Sequence, residues 1–559
     1  MKTYCILDCF VDEPACFGVP PFISPYPRYL YGALVDAGVE ESAIHYLTID
    51  ALREGDYRLE RRYSIVFLVG GAVVPGRYLG SKIGTAAEIR RITERNPGQG
   101  FAIGGLISHV LPGAPNVTLV KNDIEQYARG YADGAPSDSR RSAGDIARWS
   151  VAGATAARLH PRFPHIICEI ETSRGCPRER HCSFCSEDLY GPVAFRETED
   201  ILKEIDALIA AGVSRFRLGR QADILQYHSD SSTYRSGFPR PATAPIAGLL
   251  KELRDRRDRG LIQVLNVDNA NPGTIANFPD ESSVILADLA ATVTPGDTLA
   301  LGVESFDETV VRANNLKVDS GGAIRAIEII NAIGGARRDG LPALLPGVNL
   351  IHGLEGESAD TFEINYRRLS EIMERGLLIK RINIRQVLPF PGTPLHGRKT
   401  RITAAAENRF RFYRDRIRSC IEHAMLRAIY PLGTVLRESQ VLETRAGYSY
   451  GKQIASYAIT AKFPLELPVM SVHDALVVAH RERSVIALPY PADINALPHK
   501  ALELIPGIGK KRAADIILKR PFRDLDEARG MLKDVNEEIT RGLTAQHPAS
   551  RPLRGTGGA

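Results

Sequence analysis

Short, nearly all-apolar runs recur along this chain with helix-length stretches between them, the alternation that builds parallel sheets. At the amino end Thr3 to Leu7, Ser64 to Val69 and Gly100 to Ile103 read as buried strands, with helices near Pro27 to Ala37 and Thr85 to Arg95. A polar, small-residue stretch follows from Ala132 to Arg162. A second series then begins: His165 to Glu169, Arg215 to Leu218, Ile262 to Asn266, Thr298 to Gly302, Gly347 to Ile351 and Arg381 to Gln386, with a helix expected near Thr198 to Ala211. Six strands separated by helix-length segments close into a barrel. Beyond it, Leu432 to Ala479 alternates short strands with glycine turns, as a small β-barrel does, and two short helical patterns flank Pro506-Gly-Ile-Gly-Lys510.

The expected fold class is therefore α/β. Residues 1–131 read as a Rossmann-like α/β domain, 132–162 as a linker, 163–430 as a partial six-stranded barrel, 431–492 as a small β-barrel, 493–544 as a helical hairpin and 545–559 as a disordered tail. Gln226 to Thr243, rich in Ser, Tyr and Pro, is an insertion past the second barrel strand, positioned to shape access.

Composition bounds the function. The chain has 559 residues, 44% hydrophobic and 25% charged, and no run nears the about 18 apolar residues of a membrane span. Eight Cys without a regular framework or a secretory segment fit a reducing, cytoplasmic setting. Net charge is +5, and from Ala496 onward 12 Lys and Arg stand against 8 Asp and Glu, so most of the excess lies in the last segment.

The chemistry concentrates in Cys176-Pro-Arg-Glu-Arg-His-Cys182-Ser-Phe-Cys185. Fe–S clusters normally take four Cys, so three on one loop with no fourth nearby leave one iron of a [4Fe–4S] cluster open to an exchangeable ligand. Zinc prefers four protein ligands in paired short spacings, and His181 is squeezed between ligands of the same loop.

Here the sequence resembles the radical S-adenosylmethionine superfamily, although its Cys spacing is five then two rather than three then two. The expected strand ends carry Leu218-Gly-Arg-Gln-Ala-Asp223, Gly302-Val-Glu-Ser305, His352-Gly-Leu-Glu-Gly-Glu357 and Pro389-Phe-Pro-Gly-Thr-Pro394. These are similar, in order, to LGQN, QSGS, GFPGE and PGTP of the methylthiotransferase branch, over roughly Pro164 to Leu395. Barrel active sites gather at the carboxyl ends of strands.

The resemblance implies an enzyme that reductively cleaves S-adenosylmethionine (SAM) at a [4Fe–4S] cluster to form a 5′-deoxyadenosyl radical. Cys176, Cys182 and Cys185 would hold the cluster. Phe184 would lie against the adenine, Gly219, Arg220 and Gln221 near the methionine end, Glu304 and Ser305 at the ribose, and Gly353 to Gly356 at the adenine. A helix cap for Glu304 and a solvated surface position for Arg220 are the competing readings. An electron donor such as a ferredoxin or flavodoxin is implied.

Leu504 to Ile517 looks like a helix-hairpin-helix motif, in which Gly507 and Gly509 would offer turn amides to a nucleic-acid phosphate and Lys510, Lys511 and Arg512 the cations. The small barrel is similar in placement to the RNA-binding TRAM domain, with Tyr448, Tyr450 and Tyr457 as candidate base-stacking rings. Core or rim packing is the other role for such tyrosines.

At the amino end Ala102-Ile-Gly-Gly-Leu106 resembles a strand end of cobalamin-binding domains, but their Asp-x-His-x-x-Gly signature is absent, so cobalamin is not predicted. Cys5, Cys9 and Cys16 crowd the first strand and lack the wide spacing of a second cluster, so methylthiolation is not supported. Asp12 to Arg28, and Val74 to Gly80 with Arg77 as an anion contact, suit ligand or lid loops; both also suit plain connectors.

The whole chain resembles archaeal radical SAM proteins with a carboxyl-terminal helix-hairpin-helix motif. A radical SAM enzyme acting on a nucleic acid, tRNA ahead of DNA, is the leading expectation. A radical SAM enzyme on a small molecule or lipid is the alternative, and a nucleic-acid-binding protein with a structural or redox-sensing cluster is the third.

Overall fold

The computed structural model describes residues 2–13, 16–71, 80–398 and 403–545. Most of the Val74 to Gly80 loop with Arg77, two residues of the Asp12 to Arg28 loop and nearly all of the tail lie outside the described residues. The chain divides into two units, residues 1–336 with 343–413, and residues 337–342 with 414–559.

The first unit opens with five parallel strands, β1 (Tyr4–Asp8), β2 (Ile44–Thr48), β3 (Ile65–Val69), β4 (Phe101–Gly104) and β5 (Val117–Leu119), in the order 2-1-3-4-5. β1, β3 and β4 are buried at every residue, because helices cover both faces and no position is left for a polar side chain. This is the flavodoxin-like doubly wound order. Helix Ala86–Arg95 begins in a capping box of Thr85 and Glu88. Residues 132–162 carry helix Ala143–Ala152, whose Trp149 is buried and donates its indole N–H to Asp36 at 3.0 Å.

Six further parallel strands follow in chain order: β6 (Ile167–Glu171), β7 (Arg215–Arg220), β8 (Val264–Val267), β9 (Asp297–Glu304), β10 (Leu344–His352) and β11 (Arg381–Gln386). β6, β7 and β8 pair in one sheet and β9, β10 and β11 in another, with a parallel bridge from Ala270 to Leu301 between them. Each strand falls within three residues of its expected position, and together they make a six-stranded half-barrel.

The open edge beside β6 is covered by the amino-terminal domain itself. Phe22–Ile23 adds a short parallel strand to β6. From the same loop, Phe17 donates its backbone N–H to Glu169 at 3.3 Å, and its ring lies 4.3 Å from the Arg217 guanidinium. Residues 16–28 therefore plug the barrel's edge.

In the second unit β12 (Val435–Arg445), β13 (Tyr448–Gln453), β14 (Thr460–Phe463), β15 (Val472–His480) and β16 (Ser484–Pro489) form a closed five-stranded barrel. Helices His499–Glu503 and Gly509–Lys519 pack against it in one apolar core that joins Leu476, Ile486 and Leu488 to Leu502, Ile505 and Ile516. Among the described residues no helix is long and apolar enough to cross a membrane.

Candidate iron–sulfur site at the strand ends

β6 delivers the chain into the Cys loop, whose base is closed by an antiparallel pair of Ser173–Arg174 with Ala194–Phe195. Inside it the Cys185 amide donates to the Cys182 carbonyl at 3.1 Å. Three other elements hold the loop. From the segment after β9, the Asn314 carbonyl accepts from the Ser183 amide at 3.0 Å and the Asn315 side chain donates to the His181 carbonyl at 3.0 Å. From the Pro389–Pro394 loop after β11, the Leu395 amide donates to the Ser183 carbonyl at 2.8 Å. From the 226–243 insertion, which forms a hairpin, the Gly237 carbonyl accepts from the Glu179 amide at 3.0 Å.

All eight Cys are free thiols. Burial pushes the Cys176 thiol up to about 12, with Cys182 and Glu187 adding to it, and pushes Cys185 higher still. Arg178 donates to the Cys182 sulfur at 3.2 Å, and its guanidinium lies 4.9 Å from the Phe238 ring of the insertion. His181 is not turned to the thiols: one ring nitrogen meets the Cys176 carbonyl at 3.2 Å and the other Asp188 at 2.8 Å. Among the described residues no three Cys, His, Asp or Glu side chains converge as a single metal ion requires. A four-iron cluster asks for something else, three thiolates each on its own iron. This donor set fits that group: three soft thiols on one loop, with Cys182 close enough to raise the pKa of Cys176 and Cys185, and Arg178 and Lys317 beside them to offset thiolate charge.

Lys317 connects the thiols to β9. Its ammonium donates to the Gly302 carbonyl at 3.2 Å and pairs with Glu304 at 3.1 Å. Burial opposes its charge, but Glu304, Cys182 and Cys185 outweigh that and raise its pKa. Glu304 is buried, sits at φ 67° and leaves its Oε2 without a hydrogen-bond partner among the described residues. Such strain gathers at ligand sites. Glu304 does not cap the next helix, a role taken by Asp307, which accepts from the Thr309 amide at 2.9 Å. Ser305 is engaged internally, accepting from the Asp307 amide at 3.1 Å.

Phe184 is half-buried in one apolar cluster with Cys182, Cys185, Leu354 and Leu395. Leu354 lies between Gly353 and Gly356, so the expected adenine contacts and the Cys loop share a wall. The Leu218–Asp223 group is placed differently. Gly219 backs onto Glu169, where a Cβ would come within 2.0 Å of a carboxylate oxygen. Arg220 is fully buried rather than a solvated surface residue; it pairs with Glu187 at 3.1 Å and with the Tyr26 hydroxyl at 2.9 Å. Gln221 donates to the Leu218 and Asp268 carbonyls. These residues hold the barrel's inner ion network, centred on Arg217 and Glu169 at 2.7 Å.

Lys317, Arg178, Asn314 and Phe238 escaped sequence reasoning. Arg178 lies inside the Cys loop but carries no ligand signal of its own, and the other three are brought in by a strand-end segment or the insertion.

A small cleft lies beside the loop, lined by Gly105, His109 and Lys121 from the ends of β4 and β5 and by Arg140, Arg174 and Tyr190. In the second unit Gly507, Gly509, Lys510 and Lys511 are exposed at the turn between the two helices. Gly507 sits at φ 96°, and a Cβ there would come within 2.2 Å of the Asp534 carbonyl. Arg512 is held by Asp534 at 2.7 Å.

A three-Cys loop on the first of six parallel barrel strands, fastened to the segments after the fourth and sixth, offers three thiols to a [4Fe–4S] cluster. No family model matches the chain. It is 37% identical to an uncharacterized protein of Archaeoglobus fulgidus over 92% of this chain and 95% of that protein. It is 36% identical to uncharacterized protein MJ0274 of Methanocaldococcus jannaschii over 86% and 92%. The chain belongs to the family of these archaeal proteins. Among solved structures it is similar to the radical SAM methyltransferase TsrM of Kitasatospora setae, with cobalamin and a [4Fe–4S] cluster bound (14% identity, TM-score 0.46, 71% of this chain and 74% of that one). It is also similar to the cobalamin-dependent radical SAM enzyme OxsB (13%, 0.45, 74% and 55%).

Proposed function

We propose that this enzyme cleaves SAM reductively and uses the resulting radical to modify a nucleic acid, tRNA ahead of DNA. The Cys loop, bonded through Ser183 to Asn314 and Leu395, carries the first half of this reading. When bound, the cluster supplies the electron and the open iron that take up SAM; Cys176, Cys182 and Cys185 hold it. Phe184 and Leu354 shield one side of the SAM site from water. Glu304, with Oε2 unengaged, is placed to accept ribose hydroxyls while Lys317 holds its other oxygen.

The second half rests on the closed small barrel sharing a core with a two-helix turn that exposes Lys510 and Lys511. We read the turn as a helix-hairpin-helix motif and the barrel as TRAM-like. Because Asp534 holds Arg512, the phosphate cations are reduced to the two lysines.

The test has two arms. Anaerobically reconstituted, reduced protein is assayed for 5′-deoxyadenosine release, and modified nucleosides of total tRNA are compared by mass spectrometry in cells with and without the gene. Release of 5′-deoxyadenosine with an unchanged nucleoside profile would move the reading to a small-molecule substrate.

A further inference from the structure

On β13 of the second unit Tyr448 and Tyr450 share a face, separated by the buried Ser449. Lys462 stands directly opposite Tyr450 on β14. The Arg445 guanidinium lies 4.8 Å from the Tyr450 ring centre. Lys462 Nζ lies 5.5 Å from that ring and 3.8 Å from Tyr448, and Lys500 Nζ lies 3.3 Å from Tyr448. The order is Arg445, Tyr450, Lys462, Tyr448, Lys500: three cations interleaved with two rings. Lys500 belongs to helix His499–Glu503 and also donates to the Gly447 carbonyl at 3.4 Å, so the row runs from the barrel onto the first hairpin helix.

Among the described residues, the carboxylate in an ion pair with these charges is Glu443, 3.3 Å from Arg445. Lys462 and Lys500, both over one ring, repel each other, and the ring's negative face offsets part of that repulsion. The Tyr450 hydroxyl reports the same field: burial raises its pKa, but bonds from Arg445 and Lys462 and the Lys462 charge outweigh this and lower it. With lysines over Tyr448, this ring orders cations rather than stacking a base. Arg445 is exposed and Lys462 and Lys500 are partly exposed, and their charged groups keep N–H donors for an anion. A linear row of cations on a closed barrel, continuous with a helix that leads into an exposed lysine turn, matches a chain of phosphates better than a compact anion.

We infer that this cation–tyrosine row is the binding strip for the phosphate backbone of a single-stranded RNA. It rests on the nucleic-acid reading above and names the surface that reading requires.

The test is fluorescence anisotropy of the full-length protein with a labelled oligouridylate of about twelve nucleotides, between about 50 and 200 mM salt. Lys462→Glu with Lys500→Glu should weaken binding about tenfold or more and lower the salt slope by about 0.7 for each cation lost. Lys462→Arg with Lys500→Arg should bind within about twofold of wild type. Tyr448→Leu, which keeps every charge, should weaken binding severalfold, and Tyr448→Phe should not. Should the Glu pair fail to match the wild-type circular dichroism, Lys462→Gln with Lys500→Gln takes its place. If wild type binds RNA and the charge variants bind equally well, the strip is overturned while the nucleic-acid reading stands. If wild type binds tRNA or DNA but not the oligouridylate at low salt, the strip is overturned while the nucleic-acid reading stands; if it binds none of the three, or binds polyglutamate as tightly, the nucleic-acid reading falls and the strip's ligand with it.

Discussion

The backbone amide of Leu395 donates to the carbonyl of Ser183 at 2.8 Å, joining the Pro-Gly-Thr-Pro turn after the last barrel strand to the middle of the Cys loop. Residues 212 positions apart thereby set the height of Cys182 and Cys185 above the barrel. Loop order and barrel closure are coupled, and the consequences can be measured.

Cluster content should follow the loop alone. Reconstituted wild type should carry about four irons per chain. Replacing Cys176, Cys182 and Cys185 with Ala should remove them and abolish SAM cleavage. Replacing Cys5, Cys9 and Cys16, which are buried in two apolar clusters of the amino-terminal domain, with Ala should leave iron content unchanged. A wild-type count near eight would point to a second cluster.

Arg178 touches the Cys182 sulfur, so it should tune the cluster rather than hold it. Arg178→Met removes a positive charge and a sulfur hydrogen bond. The midpoint potential should fall by tens of millivolts, on the order typical of such contacts, with iron content retained. An unchanged potential in redox titration would mean that Arg178 turns away once the cluster is in place.

Gly219→Ala should destabilise the protein without touching the thiols. Its Cβ would meet the Glu169 carboxylate within 2.0 Å and push it from Arg217, both fully buried. Overpacking and a strained buried pair together cost about 2–5 kcal/mol. Differential scanning calorimetry should show a lower first transition, and Gly219→Ser should behave alike.

Asp8, at the carboxyl end of β1, is pushed up to about 7 by burial, against bonds from the Phe10 amide and the Tyr46 hydroxyl. The folded protein thus holds a proton there that the unfolded chain releases near pH 4. That contribution to stability is complete below about pH 4 and is lost as pH rises through about 7. Asp8→Asn should melt with wild type at pH 4 and a few degrees above it at pH 8.5. A gap that grows toward low pH would reverse the assignment.

Much of this architecture was legible along the chain. The apolar runs at His165–Glu169, Arg215–Leu218 and Arg381–Gln386 fall on β6, β7 and β11, because a strand covered on both faces must be apolar throughout its length. The closed small barrel and the Cys loop were legible for similar reasons, since turn glycines and clustered thiols are local signals. What each polar residue does was decided only in three dimensions. Arg220 reads in sequence as either a ligand contact or a surface residue. Folding buries it against Glu187 and Tyr26, residues 33 and 194 positions away. Lys317 carries no motif, yet chain crossing places it between Glu304 and the thiols. The alternation of apolar and polar positions is set by the nearest backbone, whereas the partner of a buried charge comes from distant strands, and only tertiary packing selects it.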